Sequence, residues 1–251
     1  MILLLDIGNT HTHLGLADEQ RVCHHVNLPT ADWFAHPFPK KIDAFIKKKK
    51  INGAILCSVV PKATATALSF CQARLKIPCF ELTAKNVLGI GIDYPKPDTI
   101  GPDRLANAVA VKHHFGAPSI VVDFGTAVTF DVVDARGNYV GGIIAPGLAA
   151  MTSYLHEKTA LLPKIKIQET SAIIGKNTAE AMLIGAVRGY RGLIRELLTE
   201  LQRELKCQRL PVVATGGCAG LIAGKLKEIT KVDPLLTLEG LRLVWNHSRK
   251  K

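Results

Sequence analysis

The sequence predicts an α/β protein built from two similar halves. Three observations carry this. A strand–turn–strand pattern at residues 3–17 recurs at 120–134, and strand and helix patterns alternate after each copy. At 251 residues, the chain also has room for two small domains or one large one.

Residues 3–17 read LLLDIGNTHTHLGLA and residues 120–134 read IVVDFGTAVTFDVVD. A shift of 117 residues lays Asp6 on Asp123, Gly8 on Gly125 and Thr12 on Thr129. Each copy is an apolar run, an Asp-x-Gly turn and a second apolar run, which together predict a hairpin. The spacing is too long for a solenoid and predicts two domains, 1–115 and 116–251. After the first hairpin, Ala54–Val60 reads as a buried strand ended by Pro61, Ala63–Leu75 as a helix and Pro78–Leu82 as a short strand. Gly101–His114 reads as a helix with Pro102 at its first position, where a missing N–H costs nothing. In the second half, Asn177 opens a long helix with Glu180 three residues on, as in a capping box. Its apolar face runs from Met182 to Leu205, and Leu210–Thr215 is a buried strand ending in Gly216-Gly217.

Composition narrows the function classes. A 47% hydrophobic and 21% charged chain excludes disorder and low complexity. No run approaches the roughly 20 apolar residues of a membrane span. The start Met-Ile-Leu-Leu-Leu-Asp reads as a strand, not as an export signal. Six cysteines without a C-x-x-C pair read as reduced thiols, which predicts a cytoplasmic protein. The net charge of +11 splits evenly, +5 over residues 1–115 and +6 over 116–251. The dense run Lys47–Lys50 reads as a solvated helix end, and Arg249–Lys251 as a short basic tail. Such a surface steers anionic substrates and does not require nucleic acid.

An Asp at a strand end beside a glycine turn puts a carboxylate next to exposed N–H groups. The N–H groups and hydroxyls can hold phosphate oxygens. The carboxylate can hold the metal ion that neutralises them, or its waters. One such turn need do no more than close a hairpin; two at matching positions point to a nucleotide. The P-loop and the G-x-G-x-x-G signature are both absent: Gly220…Gly224-Lys225-Leu226 has the wrong spacing, and Gly89-Ile90-Gly91 lacks the third glycine.

DIGNT at 6–10, DFGTAVT at 123–129 and TGG at 215–217 resemble the phosphate and adenosine loops of the acetate/sugar kinase, Hsp70 and actin superfamily. More specifically, the chain resembles the type III pantothenate kinases. The matching segments are SVVP at 58–61, Tyr94 with Gly101-x-Asp-Arg, GGIIAPGL at 141–148, LLP at 161–163 and IGKNT at 174–178. The resemblance implies two duplicated ribonuclease H-like (actin-like ATPase) domains with an ATP cleft between them. It implies transfer of the ATP γ-phosphate to the 4′-hydroxyl of pantothenate, the first step of coenzyme A synthesis, with Mg²⁺ and a monovalent cation, K⁺ or NH₄⁺. Asp6, Ile7, Gly8, Asn9, Thr10, His11, Thr12 and His13 match the first phosphate loop. Thr126 matches an ATP contact and Asp123 the cation site. Asp103 matches the catalytic base. Tyr94, Gly101, Pro102, Asp103, Arg104 and Thr178 match positions that hold pantothenate. The family is homodimeric, which implies an interface that includes residues 178–205.

The residue types agree with that chemistry. Phosphoryl transfer asks for positioning and charge neutralisation more than covalent help. The acceptor hydroxyl needs a proton acceptor, which a carboxylate supplies. The Arg104 fork can pair with a carboxylate or a phosphate. Two positions depart from the family pattern. Pro102 stands where the family has a small residue, which implies a stiffer loop. Cys218 follows TGG where the family often has an acid, which puts a ribose contact there in doubt. His11 and His13 fall in the loop match and read otherwise as ordinary exposed histidines. Gly185, Gly189 and Gly192 mark either close packing against a strand or a face that meets another subunit. Two other readings stand beside the kinase: a superfamily member acting on another small alcohol, and a non-catalytic transcription accessory factor. Asp6, Asp103 and Asp123 argue against the latter.

Overall fold

The structure is a computed structural model that describes residues 1–35, 40–47 and 49–249. Lys48 of the lysine run and the last two residues of the basic tail lie outside the described residues. The chain divides into two compact units, Met1–His114 with Leu235–Lys251, and Phe115–Pro234.

The first unit holds β1 (Ile2–Ile7), β2 (His11–Ala17), β3 (Val22–Pro29), α1 (Lys40–Ile46), β4 (Gly53–Ser58), α2 (Pro61–Ser69), β5 (Cys79–Glu81), the two-residue β6 (Gly91–Ile92), α3 (Pro102–Phe115) and the last helix. Its sheet runs β3-β2-β1-β4-β5. β1 pairs antiparallel with β2 and parallel with β4. β1 is apolar without alternation because both faces of the sheet are covered. Leu3, Leu5 and Ile7 pack with Ile42, Ala63 and Phe70 on one side. Leu4, Ile55 and Cys57 pack with Ala106, Val109 and Leu241 on the other. The helix predicted over 63–75 is α2 followed by a π-helical stretch, Phe70–Leu75, closed by Lys76 in the left-handed region at φ 55°.

Residues 235–249, which the 115/116 division places with the second half, pack instead on the first unit. This last helix, Leu236–Ser248, becomes α8 in chain order. A Cβ on Gly240 would overlap the Ala106 carbonyl, so α8 and α3 approach closely there. The Thr237 hydroxyl donates to Asn107 Oδ1 at 2.8 Å in the buried seam. Arg242 pairs with Glu239 and donates to the Glu19 carbonyl, tying α8 to the β2–β3 turn. α8 itself lies on β1, β2 and β4, and the helix that carries Asp103 packs beside it.

The second unit holds β7 (Ser119–Phe124), β8 (Ala127–Val133), β9 (Asn138–Pro146), α4 (Leu148–Lys158), α5 (Thr178–Ile184), α6 (Tyr190–Glu204), β10 (Val212–Thr215), α7 (Ala219–Ala223) and β11 (Lys231–Val232). Its strands run β11-β10-β7-β8-β9, repeating the hairpin and the parallel neighbour of the first unit. Asn177 caps α5 as predicted, but the returning bond of Glu180 goes to the N–H of Lys176, one residue before the N-cap, and not to that of Asn177. Asn177 Oδ1 accepts the Glu180 N–H at 2.9 Å, and the Glu180 carboxylate accepts the Lys176 N–H at 2.6 Å. The long helix is interrupted by a π-helical turn, Gly185–Gly189, between α5 and α6. Two glycines lower the local α-helical propensity, and the wider turn lets Val187, Tyr190, Ile194 and Leu198 all face the core. A Cβ on Gly185, Gly189 or Gly192 would meet nothing within 4 Å. Packing against a strand within this unit therefore does not explain these glycines. Buried Arg191 reaches Glu169 at 3.0 and 2.5 Å and the Leu221 carbonyl at 2.6 Å, pinning the irregular segment after α4 to α6. That pairing holds the Glu169 carboxyl down to about 2.

Candidate active site

The first Asp-Gly turn joins β1 to β2. The Gly8 N–H donates to the His11 carbonyl at 3.0 Å, which leaves Asn9, Thr10 and His11 exposed at the tip. The turn is braced from below. The Thr30 hydroxyl donates to the Gly8 carbonyl at 2.6 Å, and Trp33 Nε1 donates to the Thr12 hydroxyl at 2.9 Å. Thr12 is buried and Ile7 sits in the core. Of the eight loop residues predicted from sequence, these two support the turn, and the others line or flank it.

Strand register decides what surrounds Asp6. It lies opposite His13 on β2 and beside Cys57 on β4. The Cys57 thiol donates to Asp6 Oδ1 at 3.5 Å. The Asp6 carboxylate is half-buried at a strand end. It is a hard oxygen ligand of the kind that holds Mg²⁺ together with substrate phosphates, without a dedicated cage. No cluster of three metal-ligating side chains occurs among the described residues. His13 Nε2 lies 3.1 Å from His25 Nδ1. Burial, with His25 beside it, brings the His13 pKa down to about 4, so this ring stays neutral at physiological pH. Within the loop it is a hydrogen-bonding group and not a cation.

Asp103 occupies the first turn of α3, after Pro102. The Gly101 carbonyl accepts the Arg104 N–H at 3.0 Å, and Asp103 Oδ1 accepts the same N–H at 2.9 Å. A Cβ on Gly101 would lie 2.5 Å from Asp103 Oδ1, so only glycine admits this rotamer. Burial raises the Asp103 pKa above the ordinary carboxylate value of 3.8, outweighing the lowering by Arg104. The Asp103 charge also contributes, with burial and Asp6, to raising the Cys57 thiol. Asp6, Cys57 and Asp103 thus form one electrostatic group in the first unit. Tyr94 and Arg104 are half-buried.

In the second unit, Asp123 is the penultimate residue of β7, beside the turn that carries exposed Thr126. Gly216 of the TGG segment lies against it. A Cβ there would stand 2.5 Å from Asp123 Oδ1 and 2.7 Å from the Phe124 backbone, and φ is +89°. The Cys218 N–H donates to the Phe124 carbonyl at 3.3 Å. The two segments that resemble separate loops are therefore one packed site. Thr178 is exposed at the first position of α5. Neither the contact of Cys57 with Asp6 nor that of Gly216 with Asp123 had a local signature. Each joins strands distant in sequence.

The family model of type III pantothenate kinases matches residues 2–200. A type III pantothenate kinase from Akkermansia muciniphila is 46% identical over 242 residues, covering 96% of this chain and 96% of its own. The chain belongs to the type III pantothenate kinase family. It is a kinase that phosphorylates pantothenate in coenzyme A biosynthesis, using ATP with Mg²⁺. The readings as a kinase of another alcohol or a non-catalytic transcription factor are not favoured. Among solved structures, a Campylobacter jejuni protein assigned to the Baf family of transcriptional activators gives a TM-score of 0.63. It is 20% identical and covers 99% of this chain and 100% of that one. A Listeria monocytogenes protein assigned as an N-acetylmannosamine kinase gives 0.53 at 12% identity, covering 100% and 99%. Likenesses at this identity show the fold alone, the actin-like ATPase fold of the sugar kinases. No helix among the described residues is long and apolar enough to cross a membrane.

Proposed function

We propose that this enzyme transfers the ATP γ-phosphate to the 4′-hydroxyl of pantothenate with Asp103 as general base. The observation that supports it is the state of Asp103. A carboxylate at a helix start, held by one N–H and made more basic by burial, is suited to accept a hydroxyl proton. Its positively polarised helix start favours an anion alongside. Arg104, Tyr94, Gly101 and Pro102 then hold pantothenate around the base, with Thr178 as a further contact. The turn Gly8–His11 and Thr126 hold ATP phosphates, and Asp6 would hold the Mg²⁺ that supplies neutralisation of their charge. The 10²–10⁴-fold effect of a general base is tested with Asp103→Asn below.

Asp123 is the proposed monovalent cation site. Its carboxylate stands beside a glycine-lined turn: a Cβ on Gly125 would meet the Ala127 carbonyl at 3.3 Å and Asp123 Oδ1 at 3.7 Å, oxygen atoms of the kind that suit K⁺ or NH₄⁺. ADP release should rise when K⁺ or NH₄⁺ replaces Na⁺, and Asp123→Ala should abolish that response. A wild-type rate indifferent to the cation would refute this role.

The enzyme is also proposed to act as a cytoplasmic homodimer. All six cysteines are free, as a reducing compartment would keep them. Ile144, Tyr154, Leu161, Ile173 and Ile174 are 62–90% exposed, all in the second unit. Exposed apolar side chains that lie together would be covered in an assembly, and a two-fold contact is the commonest closed assembly. The open space over Gly185, Gly189 and Gly192 lets a second backbone approach. Light scattering should give a mass near twice 27.2 kDa. A monomer with full activity would overturn the assembly and its interface.

A further inference from the structure

We infer that Cys57 is a positioning residue: its buried thiol holds the Asp6 carboxylate of the first phosphate loop from behind. The inference rests on the reading of Asp6 as an ATP-loop residue. Four observations lead to it. Parallel register places Asp6 and Cys57 side by side on β1 and β4. Cys57 is fully buried, with no exposed surface. Its Sγ donates to Asp6 Oδ1 at 3.5 Å. It packs in the cluster that includes Ala106 and Val109 of α3, the helix that opens with Asp103.

In this contact the thiol is the donor and the carboxylate, which has only acceptor oxygens when ionised, is the acceptor. Water cannot replace it there, because no surface of the side chain is open. The bond engages Oδ1 of Asp6 and so restrains the rotation of the carboxylate. A packing role alone would be filled as well by valine, which is close in size and lacks a donor. Serine keeps the donor and loses little volume. These two substitutions separate the hypotheses.

Affinity for MgADP is measured by titration calorimetry on wild-type enzyme, Cys57→Ser, Cys57→Val and Asp6→Asn, with KM and kcat for MgATP and pantothenate alongside. Losing a weak donor to a charged acceptor should cost about 3- to 10-fold. Cys57→Val is therefore expected to weaken MgADP by that factor and to raise KM for MgATP in parallel. KM for pantothenate should stay within about twofold. Cys57→Ser should hold MgADP within about threefold of wild type. Cys57→Val binding MgADP like wild type, or a folded Cys57→Ser as impaired as Cys57→Val, would overturn the inference. If Asp6→Asn leaves MgADP binding unchanged, the phosphate-loop reading itself fails. If Asp6→Asn weakens binding and Cys57→Val does not, only the role of Cys57 fails. Should Cys57→Val not fold, the Raman S–H band of Cys57, assigned by difference against Cys57→Ser, gives the answer. It should move to higher frequency in Asp6→Asn as the thiol bond weakens, and an unmoved band refutes the bond.

Discussion

Asp103→Asn lowers kcat by about 10²–10⁴-fold, the usual contribution of a general base, while the protein stays folded. The substitution is close to isosteric. The amide oxygen can still accept the Arg104 N–H that the carboxylate accepts at 2.9 Å, so the first turn of α3 keeps its shape. What is lost is the proton acceptor. Stability should not fall. A carboxylate whose pKa is raised on folding disfavours the folded state once pH exceeds that pKa, so removing its charge relieves a cost at neutral pH. The melting temperature should therefore be unchanged or slightly higher, which separates a chemical defect from an unfolded enzyme. The pH profile supplies an independent reading. The base acts ionised, so kcat/KM of the wild type should fall with acid through a pKa above 3.8, and the residual rate of Asp103→Asn should lack that limb. A variant within about threefold of wild type would remove Asp103 from the base role.

Gly216→Ala should be the most damaging single methyl at the second turn. The residue holds φ at +89°, which costs an L side chain about 1–2 kcal/mol. The added Cβ would stand 2.5 Å from Asp123 Oδ1 and 2.7 Å from the Phe124 backbone, and backbone cannot rotate away. Overpacking adds about 1–3 kcal/mol, so a loss of about 2–5 kcal/mol is expected by denaturant unfolding. Relief must come by moving Asp123 or the TGG segment. A displacement of about 1 Å in a positioned group can cost 10²-fold in rate, and the response to K⁺ should be lost with it. Gly217→Ala is the matched control, since a Cβ there meets nothing within 4 Å. Equal stability and activity of the two variants would show that the close packing around Asp123 is not needed.

Much of this protein was legible in one dimension. The two hairpins announced themselves because period, turn residues and composition are local properties, and the same pattern appears twice at a fixed shift. Asn177 and Glu180 announced a helix start for the same reason, and their two hydrogen bonds are in place. Asp103 was found as a motif residue, and its position in the first turn of α3 is as read. Thr12 and Ile7 fall inside the loop motif, which does not distinguish a residue that lines the turn from one that supports it. Alternation along β2 turns Thr12 inward to Trp33, and β1 buries Ile7.

The sequence by itself determined the class of the fold, the place of both Asp-Gly turns and the residues with chemistry to offer. The tertiary structure alone decided which of them are neighbours. Asp6 meets Cys57 across 51 positions, and Thr237 meets Asn107 across 130. Neither pairing follows from periodicity, which records only which face of an element a residue occupies. The return of α8 to the first unit has the same origin. Its apolar face is complementary to α3 and to the sheet beneath, and Gly240 admits the close approach to Ala106. Burial then set the protonation behaviour. It raises the Asp103 carboxyl and lowers the His13 ring, because desolvation disfavours whichever form is charged. A one-dimensional pattern carries no record of that environment.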